Sequence, residues 1–437
     1  MRNKILPHLF ASLLLTSGTA LAQTPAPALV ESSPASAKVS AERLARLDAF
    51  IQGYVDKGEL NGATAIVIRD GRIIYHKAFG YSDMGKGTRM RTDNIFRIAS
   101  MTKPIVSVAA MMLFEEGRFL LDDPVSRYIP AFRNPRVLDA YHAEDTGYTT
   151  VPAKSEITIR QLLNHTSGIG YAQIGGPEAR AIYSKNGVNG GIGTPYGTLK
   201  ESVGRLATLP LFHHPGEKYL YGLNTDVLGH LIEVVSGMPL DRFLRERIFL
   251  PLGMTDTYFF LPEEKGHRLV RLYRQDPEGR LSEQPPVIPL NGDFHRDFPL
   301  KRDGSYFSGG AGLSSTARDY AVFCQMLLNG GAYGGKRILS PHTLRIMTRN
   351  QIGDLLMNAN PEAPNRFGLG FGVYTERSEA VYPLQAGSFD WGGMFASHFW
   401  IDPKTRLACV IMRNIWPTRN RDLGDRSKIV IYQALED

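Results

Sequence analysis

The chain has 437 residues, 43% of them hydrophobic and 21% charged, which describes a folded globular protein rather than a disordered one, with room for one large domain or two to three ordinary ones. Its formal charge of +7 is a mild excess, without a run of five like charges or a basic stripe interleaved with aromatics, so nucleic acid is not an expected partner. The two cysteines, Cys324 and Cys409, lie in the apolar settings AVFCQMLL and LACVIM and match no metal or redox spacing, so they read as buried free thiols that could pair only if they met in an oxidising compartment.

Residues 1–22 have the form of an export signal: Arg2 and Lys4, the apolar core LFASLLL, then Ala20, Leu21 and Ala22 as a small-residue cleavage site. This predicts a periplasmic or secreted protein beginning at Gln23. The apolar core is too short to span a bilayer and no later segment reaches eighteen uncharged apolar residues, so no membrane span is expected once the signal is removed. Residues 23–40, QTPAPALVESSPASAKVS, are rich in Pro, Ala and Ser and read as a flexible linker, with the ordered domain expected over 41–437.

Leu44, Leu47, Phe50, Ile51 and Tyr54 then recur at helical spacing, and the strand-like runs ATAIVIR and RIIYHKAFGY meet at Asp70-Gly71, a hairpin turn. The far end mirrors this with RFGLGFGVYT, FASHFWID and RLACVIMR, the last two joined by a turn over Asp402 to Thr405, and a closing helical segment, DRSKIVIYQALED. Between the ends the signals are mostly helical. One helix is expected from Asn224 as N-cap, with Val227, Leu228, Leu231, Ile232 and Val235 on one face, to Gly237. The fold class implied is α/β of the α+β type: one antiparallel sheet built from both chain ends (41–99 and 366–437), flanked by helices, with a mainly helical region (100–365) inserted. Residues 183–197 and about 274–302 read as long loops, which in enzymes often border the active site.

The chemistry concentrates in IFRIASMTKPIVSVAAMMLFEEG, residues 95–117. Proline is tolerated only in the first turn of a helix, so Pro104 sets a helix start within about four residues of itself. Ser100 then sits at the helix N-terminus, where free N–H groups favour developing negative charge. Lys103, three residues on, shares its face. A serine hydroxyl needs a base to become a nucleophile, and a lysine amine serves when burial or nearby positive charge leaves it neutral. Taken alone, Ser-x-x-Lys also fits an N-cap serine with a solvated lysine.

Six blocks extend the pattern: IFRIASMTKP, ITIRQLLNHTSGI (157–169), YLYGLNTDVLGHLIEVVSG (219–237), FLRERIFLPLGMTDT (243–257), SGGAGLSSTARDYAVF (308–323) and FDWGGMFASHFWIDP (389–403). In this order they resemble the serine β-lactamase and penicillin-binding-protein superfamily, above all the class C β-lactamase-like branch that includes family VIII carboxylesterases. The resemblance implies a β-lactamase/transpeptidase-like fold in which Ser100 is the nucleophile, Lys103 its base and Tyr221 the phenol that exchanges protons with nucleophile and leaving group. Tyr219 is the rival for that last role. The backbone N–H groups of Ser100 and Met394 would form the oxyanion hole, and Trp391, Gly392 and Gly393 would line the substrate site.

Two departures from the family pattern stand out. The asparagine expected two residues after the tyrosine is replaced by Leu223, with Asn224 one later. The family's Lys-Thr/Ser-Gly strand is replaced by Trp391-Gly392-Gly393, as in many family VIII esterases, which exchanges a cation for an indole and points to neutral esters rather than anionic substrates. The expected substrate is a small-molecule ester, with a β-lactam, or a peptide of D-amino acids, as the alternative, or a non-catalytic penicillin-recognising role. No cofactor and no metal are expected. His165 and Ser167 in NHTSG read as a structural loop, and no Gly-x-Ser-x-Gly elbow occurs.

Overall fold

The run GATAIVIR is buried along its whole length, and alternation explains how: Ile66 and Ile68 point into one apolar cluster while Ala63, Ala65 and Val67 point into another. A strand covered on both faces must lie at the centre of a sheet with helices on each side, and the computed structural model, which describes residues 28–188, 190–290, 293–357 and 364–437, has that arrangement. The signal-peptide reading falls within residues 1–27, outside the described residues.

The main sheet consists of β1 (Val30–Glu31), β2 (Gly62–Arg69), β3 (Arg72–Asp83), β4 (Arg366–Phe367), β5 (Gly372–Val373), β6 (Phe389–Gly392), β7 (His398–Asp402) and β8 (Leu407–Met412), in the order 1-3-2-8-7-6-5-4, with Thr88–Arg89 added beside β3. All the pairings are antiparallel except β1 with β3. The two chain ends join at β2 and β8, where Val67 faces Cys409 and Ile66 faces Val410. The Asp70-Gly71 turn between β2 and β3 has positive φ at both residues, 53° and 76°, the backbone that a two-residue hairpin of this twist requires. At the other hairpin the Asp402 carboxylate accepts from the Lys404 and Thr405 N–H groups.

On one face lie α1 (Arg46–Asp56), through Leu47 and Ile51, and α5 (Leu423–Tyr432), through Leu423 and Ile431. On the other lie α2 (Thr102–Glu115), α3 (Asn224–Ser236) and α4 (Ala317–Leu328). α2 is buried all round from Thr102 to Leu113, the mark of a central helix. With each buried Ile, Val, Leu or Met worth about 1.5–3 kcal/mol, its position is among the most firmly fixed in the molecule. Cys324 on α4 and Cys409 on β8 are buried free thiols.

Four sequence expectations need adjustment. The linker expected to reach Ser40 is built into the sheet from Leu29 onward: β1 pairs with β3, and Leu29, Ala37 and Val39 are buried. Averaged composition hid three apolar anchors among prolines and serines. The run RFGLGFGVYT is not one strand but the short antiparallel pair β4 and β5. Residues 274–302 carry short strands, Leu281–Glu283 paired with Tyr273–Gln275 and Val287–Pro289 paired with Asp293–His295. Finally, α3 begins at Asn224 with Leu223 as its N-cap, so the Asn224 side chain does not cap the helix.

Candidate active site

Ser100 follows a backbone fixed from several sides. Phe96–Arg97 pairs with Ser314–Ser315, and the Ile98 N–H donates to the Leu313 carbonyl at 3.0 Å. Arg97 is fully buried and donates to the carbonyls of Arg296 and Val270 and to Asn414; burial lowers its guanidinium to about 10. Ala99 then takes φ of 44°, a left-handed conformation that costs an L-residue roughly 1–2 kcal/mol. Surrounding packing holds it there, and the strain turns Ser100 out on a single 3₁₀ turn, Ala99–Met101, that runs straight into α2. The helix start thus lies two residues before Pro104, within the expected range.

Lys103 is 1% exposed. Its Nζ lies 3.3 Å from Ser100 Oγ, 3.0 Å from the Tyr171 hydroxyl and 2.8 Å from the Gly310 carbonyl oxygen. The carbonyl can only accept, so one N–H is committed to Gly310. Either hydroxyl can donate or accept, so a neutral amine can keep its lone pair for the Ser100 proton.

Tyr221 reaches the same place by a different face. Its ring centroid is 4.6 Å from Lys103 Nζ, and it packs against His165, Tyr171 and Trp391 at centroid distances of 4.8, 5.6 and 5.5 Å. Tyr219 instead packs on His165 and Phe367. Burial raises the Tyr219 and Tyr171 phenols well above the usual range, and the neighbouring Tyr221 adds to both.

Asn224 clamps the NHTSG loop. It accepts from Ser167 Oγ and donates to His165 Nδ1 at 2.9 Å and to the Ile169 carbonyl at 3.3 Å. Its bond to Nδ1 leaves the imidazole proton on Nε2, and burial, followed by the Lys103 charge, holds His165 neutral. Ser167 also accepts from the Ile169 N–H. Both residues are therefore occupied in holding the loop.

β6 delivers the opposite wall. Trp391 pairs with Phe399 and Gly392 with His398, and the Trp391 ring lies 5.0 Å from Phe367. Past the strand end, a Cβ on Gly393 would fall 2.4 Å from the Ile98 carbonyl oxygen, so only glycine lets this segment press against the serine turn. Together these elements form a cavity of about 580 Å³, lined by Ser100, Tyr171, Tyr221, Trp391 and Met394, with Ile192 and Leu290 from the two long loop regions. That volume suits a small organic ligand.

A family model described as Beta-lactamase matches residues 47–433. The chain belongs to the β-lactamase family. Within it, the sequence is 35% identical over 369 residues to Protein Rv1367c of Mycobacterium tuberculosis, covering 82% of this chain and 87% of that one. It is 33% identical over 385 residues to Esterase EstB of Burkholderia gladioli, covering 86% of this chain and 91% of that one. Among solved structures, EstCE1, described as a hydrolase with promiscuous acyltransferase activity, superposes with a TM-score of 0.77 at 27% identity, covering 90% of this chain and 99% of that one. These likenesses fit the family VIII esterase-like branch, and the fold they share is the mixed α/β one, a mostly antiparallel sheet flanked by helices.

Against that family background, the residue the sequence reading passed over is Tyr171. By sequence alone nothing distinguishes a tyrosine shortly after the NHTSG loop from a core aromatic. Its contact with Lys103 arises across 68 residues of chain.

Proposed function

We propose that this β-lactamase-family chain is a serine hydrolase that cleaves carboxylic esters. The observation that carries the reading is the 3.3 Å approach of a buried lysine amine to Ser100 Oγ at the mouth of a ligand-sized cavity. Ser100 Oγ forms a bond to the ester carbonyl carbon while its proton passes to Lys103. The tetrahedral oxyanion is held by the N–H groups of Ser100 and Met394, each such donor being worth about 2.7–4 kcal/mol in the transition state. Lys103 and Tyr221 return the proton to the departing alkoxide, which leaves as alcohol. Water then attacks the acyl-enzyme, gives a proton to the same pair, and releases the carboxylic acid as Ser100 Oγ recovers its hydrogen.

Neutral esters are favoured because Trp391, Gly392, Gly393, Met394, Ile192 and Leu290 line the cavity with Ser100, and of the charged residues that also line it Lys428 pairs with Asp390 and Asp425 while Arg413 donates to the Ala396 and Asn420 carbonyls. The names of Esterase EstB and EstCE1 point the same way. The proposal includes export through residues 1–22 and a catalytic domain that, with its buried anchors Leu29, Ala37 and Val39, runs from residue 29 to 437. The test is side-by-side turnover of p-nitrophenyl butyrate, nitrocefin and a D-Ala-D-Ala peptide by the purified protein. The ester is expected to give the highest kcat/KM. Faster turnover of nitrocefin or of the peptide would replace this reading with a lactamase or peptidase, and acylation without turnover of any of the three would replace it with a binding role.

A further inference from the structure

The first turn of α3 carries a carboxylate that the acyl-transfer scheme leaves unused. Asp226 is 2% exposed, and its Oδ1 accepts from Ser308 Oγ at 2.7 Å; the Ser308 oxygen in turn accepts the Ala311 N–H at 3.0 Å. Oδ2 makes no well-formed hydrogen bond among the described residues, although the Gly310 N–H and the Tyr306 hydroxyl lie close enough to favour its ionised form. A buried carboxylate whose second oxygen is poorly bonded is costly unless a charge balances it or a proton neutralises it.

The gap at Gly310 shows where the balance lies. A Cβ on that glycine would stand 2.5 Å from Asp226 Oδ2, 3.1 Å from the Tyr171 hydroxyl and 3.4 Å from Lys103 Nζ. Asp226 Oδ2 and Lys103 Nζ, at those radii from one point, lie no more than about 6 Å apart, the range over which an ammonium stabilises a carboxylate without a direct ion pair. The groups that face Asp226 are Lys103 from α2, Tyr171 from the segment after the NHTSG loop, and Tyr306 and Ser308 from the segment before α4, with Arg205 beyond Tyr306. Those that face Lys103 are Ser100, Tyr171, Tyr221, the neutral His165 and Asp226. Lys103 is thus the one cation among the described residues that directly face the carboxylate.

We propose that Asp226 is a positioning residue for the esterase reaction, the buried counter-ion of Lys103 across the Gly310 gap, and that this pair governs when the amine is free to take the Ser100 proton. Two groups hold one proton. With the proton on the carboxyl, both are neutral and the amine lone pair is open to Ser100 Oγ; with the proton on the amine, an ammonium faces a carboxylate. The net charge is zero in either arrangement, so the exchange brings no uncompensated charge into the core. Burial pushes the Asp226 carboxyl above the usual carboxylate range, while the Ser308 hydrogen bond, then the Lys103 charge, the Gly310 N–H and the Tyr306 hydroxyl pull it back, in keeping with a proton that either partner can hold.

This inference rests on the esterase reading for its catalytic meaning, but the counter-ion contact can be tested without it. Asp226→Asn and Ser308→Ala are made in the full chain, and two quantities are followed with pH: kcat/KM for p-nitrophenyl butyrate, and the NMR signal of the Lys103 side chain in protein labelled at lysine Cε, assigned by its loss in Lys103→Met. Removing the anion makes the ammonium harder to keep. In Asp226→Asn the Lys103 signal should therefore titrate at lower pH by about one unit or more, and the acidic limb of the kcat/KM profile should move with it. Ser308→Ala, which removes the donor that favours the ionised carboxylate, should move both the same way by less. A folded Asp226→Asn protein with an unmoved Lys103 titration overturns the proposal; if that variant does not fold, an unmoved titration in Ser308→Ala does so. Should the NMR titration move in a protein that turns over no ester, the counter-ion contact stands and the esterase reading fails.

Discussion

The amine of Lys103 faces the flat of the Tyr221 ring, 4.6 Å from its centroid, while the neighbouring phenol at Tyr171 meets the amine directly through its hydroxyl at 3.0 Å. Two tyrosines thus share one lysine in different ways: one by its ring, one by its oxygen. Assigning the proton shuttle to Tyr221 makes Tyr171 a support that orients the amine.

The two roles separate by substitution. Tyr221→Phe keeps the ring against the lysine and removes only the acid–base group, so kcat should fall by about 10²–10⁴-fold. Tyr171→Phe removes one hydrogen bond to an ionisable group, about 1.5–3 kcal/mol, and should lower kcat/KM by roughly 10–100-fold. Steady-state kinetics on the two variants decide the matter, and a larger loss at Tyr171 would transfer the shuttle to it.

Gly393 lets the end of β6 press against the serine turn, since a Cβ there would meet the Ile98 carbonyl oxygen at 2.4 Å. Gly393→Ala should push Met394 away from Ser100 and lower kcat at least about tenfold. Overpacking of this kind typically costs about 1–3 kcal/mol of stability, which a urea unfolding curve would read. A variant with parent kcat and parent midpoint would show that the approach is not needed.

Asp319, in the first turn of α4, is buried and accepts from the Asp256 N–H and the Thr257 hydroxyl. Burial dominates, and its carboxyl is pushed up to about 6. An acid whose folded value lies above its unfolded one, near 3.9, binds its proton more tightly when folded, so it destabilises the fold once ionised. Stability from this group is highest below about pH 4, falls as pH rises toward 6 and stays low above that, by about 3 kcal/mol in all. Asp319→Asn should flatten that part of the urea midpoint against pH, and an unchanged slope between pH 4 and 6 would show that another group is responsible.

Much of this was legible in the sequence wherever the physical signal is local. The hairpin at Asp70-Gly71 and the helix start near Pro104 follow from turn chemistry and proline's place in a helix's first turn, and the strands at both chain ends from their apolar runs. The convergence of Ser100 and Lys103 follows from helical spacing. What could not be read depends on contacts distant in sequence. Asn224 looked like a helix cap because caps are chosen from the same residue types, yet its amide is taken by His165, Ser167 and Ile169. Nothing local marks Tyr171 or Asp226, whose approach to Lys103 spans 68 residues in one case and depends in the other on Gly309 and Gly310 lying against α3. The buried anchors Leu29 and Val39 were masked by the prolines and serines around them.

Covalent bond formation at Ser100 is tested most directly by mass spectrometry after labelling with a fluorophosphonate. The label should appear on the peptide that carries Ser100, and Ser100→Ala should fold as the parent does, take no label and lose at least about 10³-fold in ester turnover. A label on Ser167 or any other serine, or a Ser100→Ala protein that hydrolyses p-nitrophenyl butyrate at the parent rate, would contradict it.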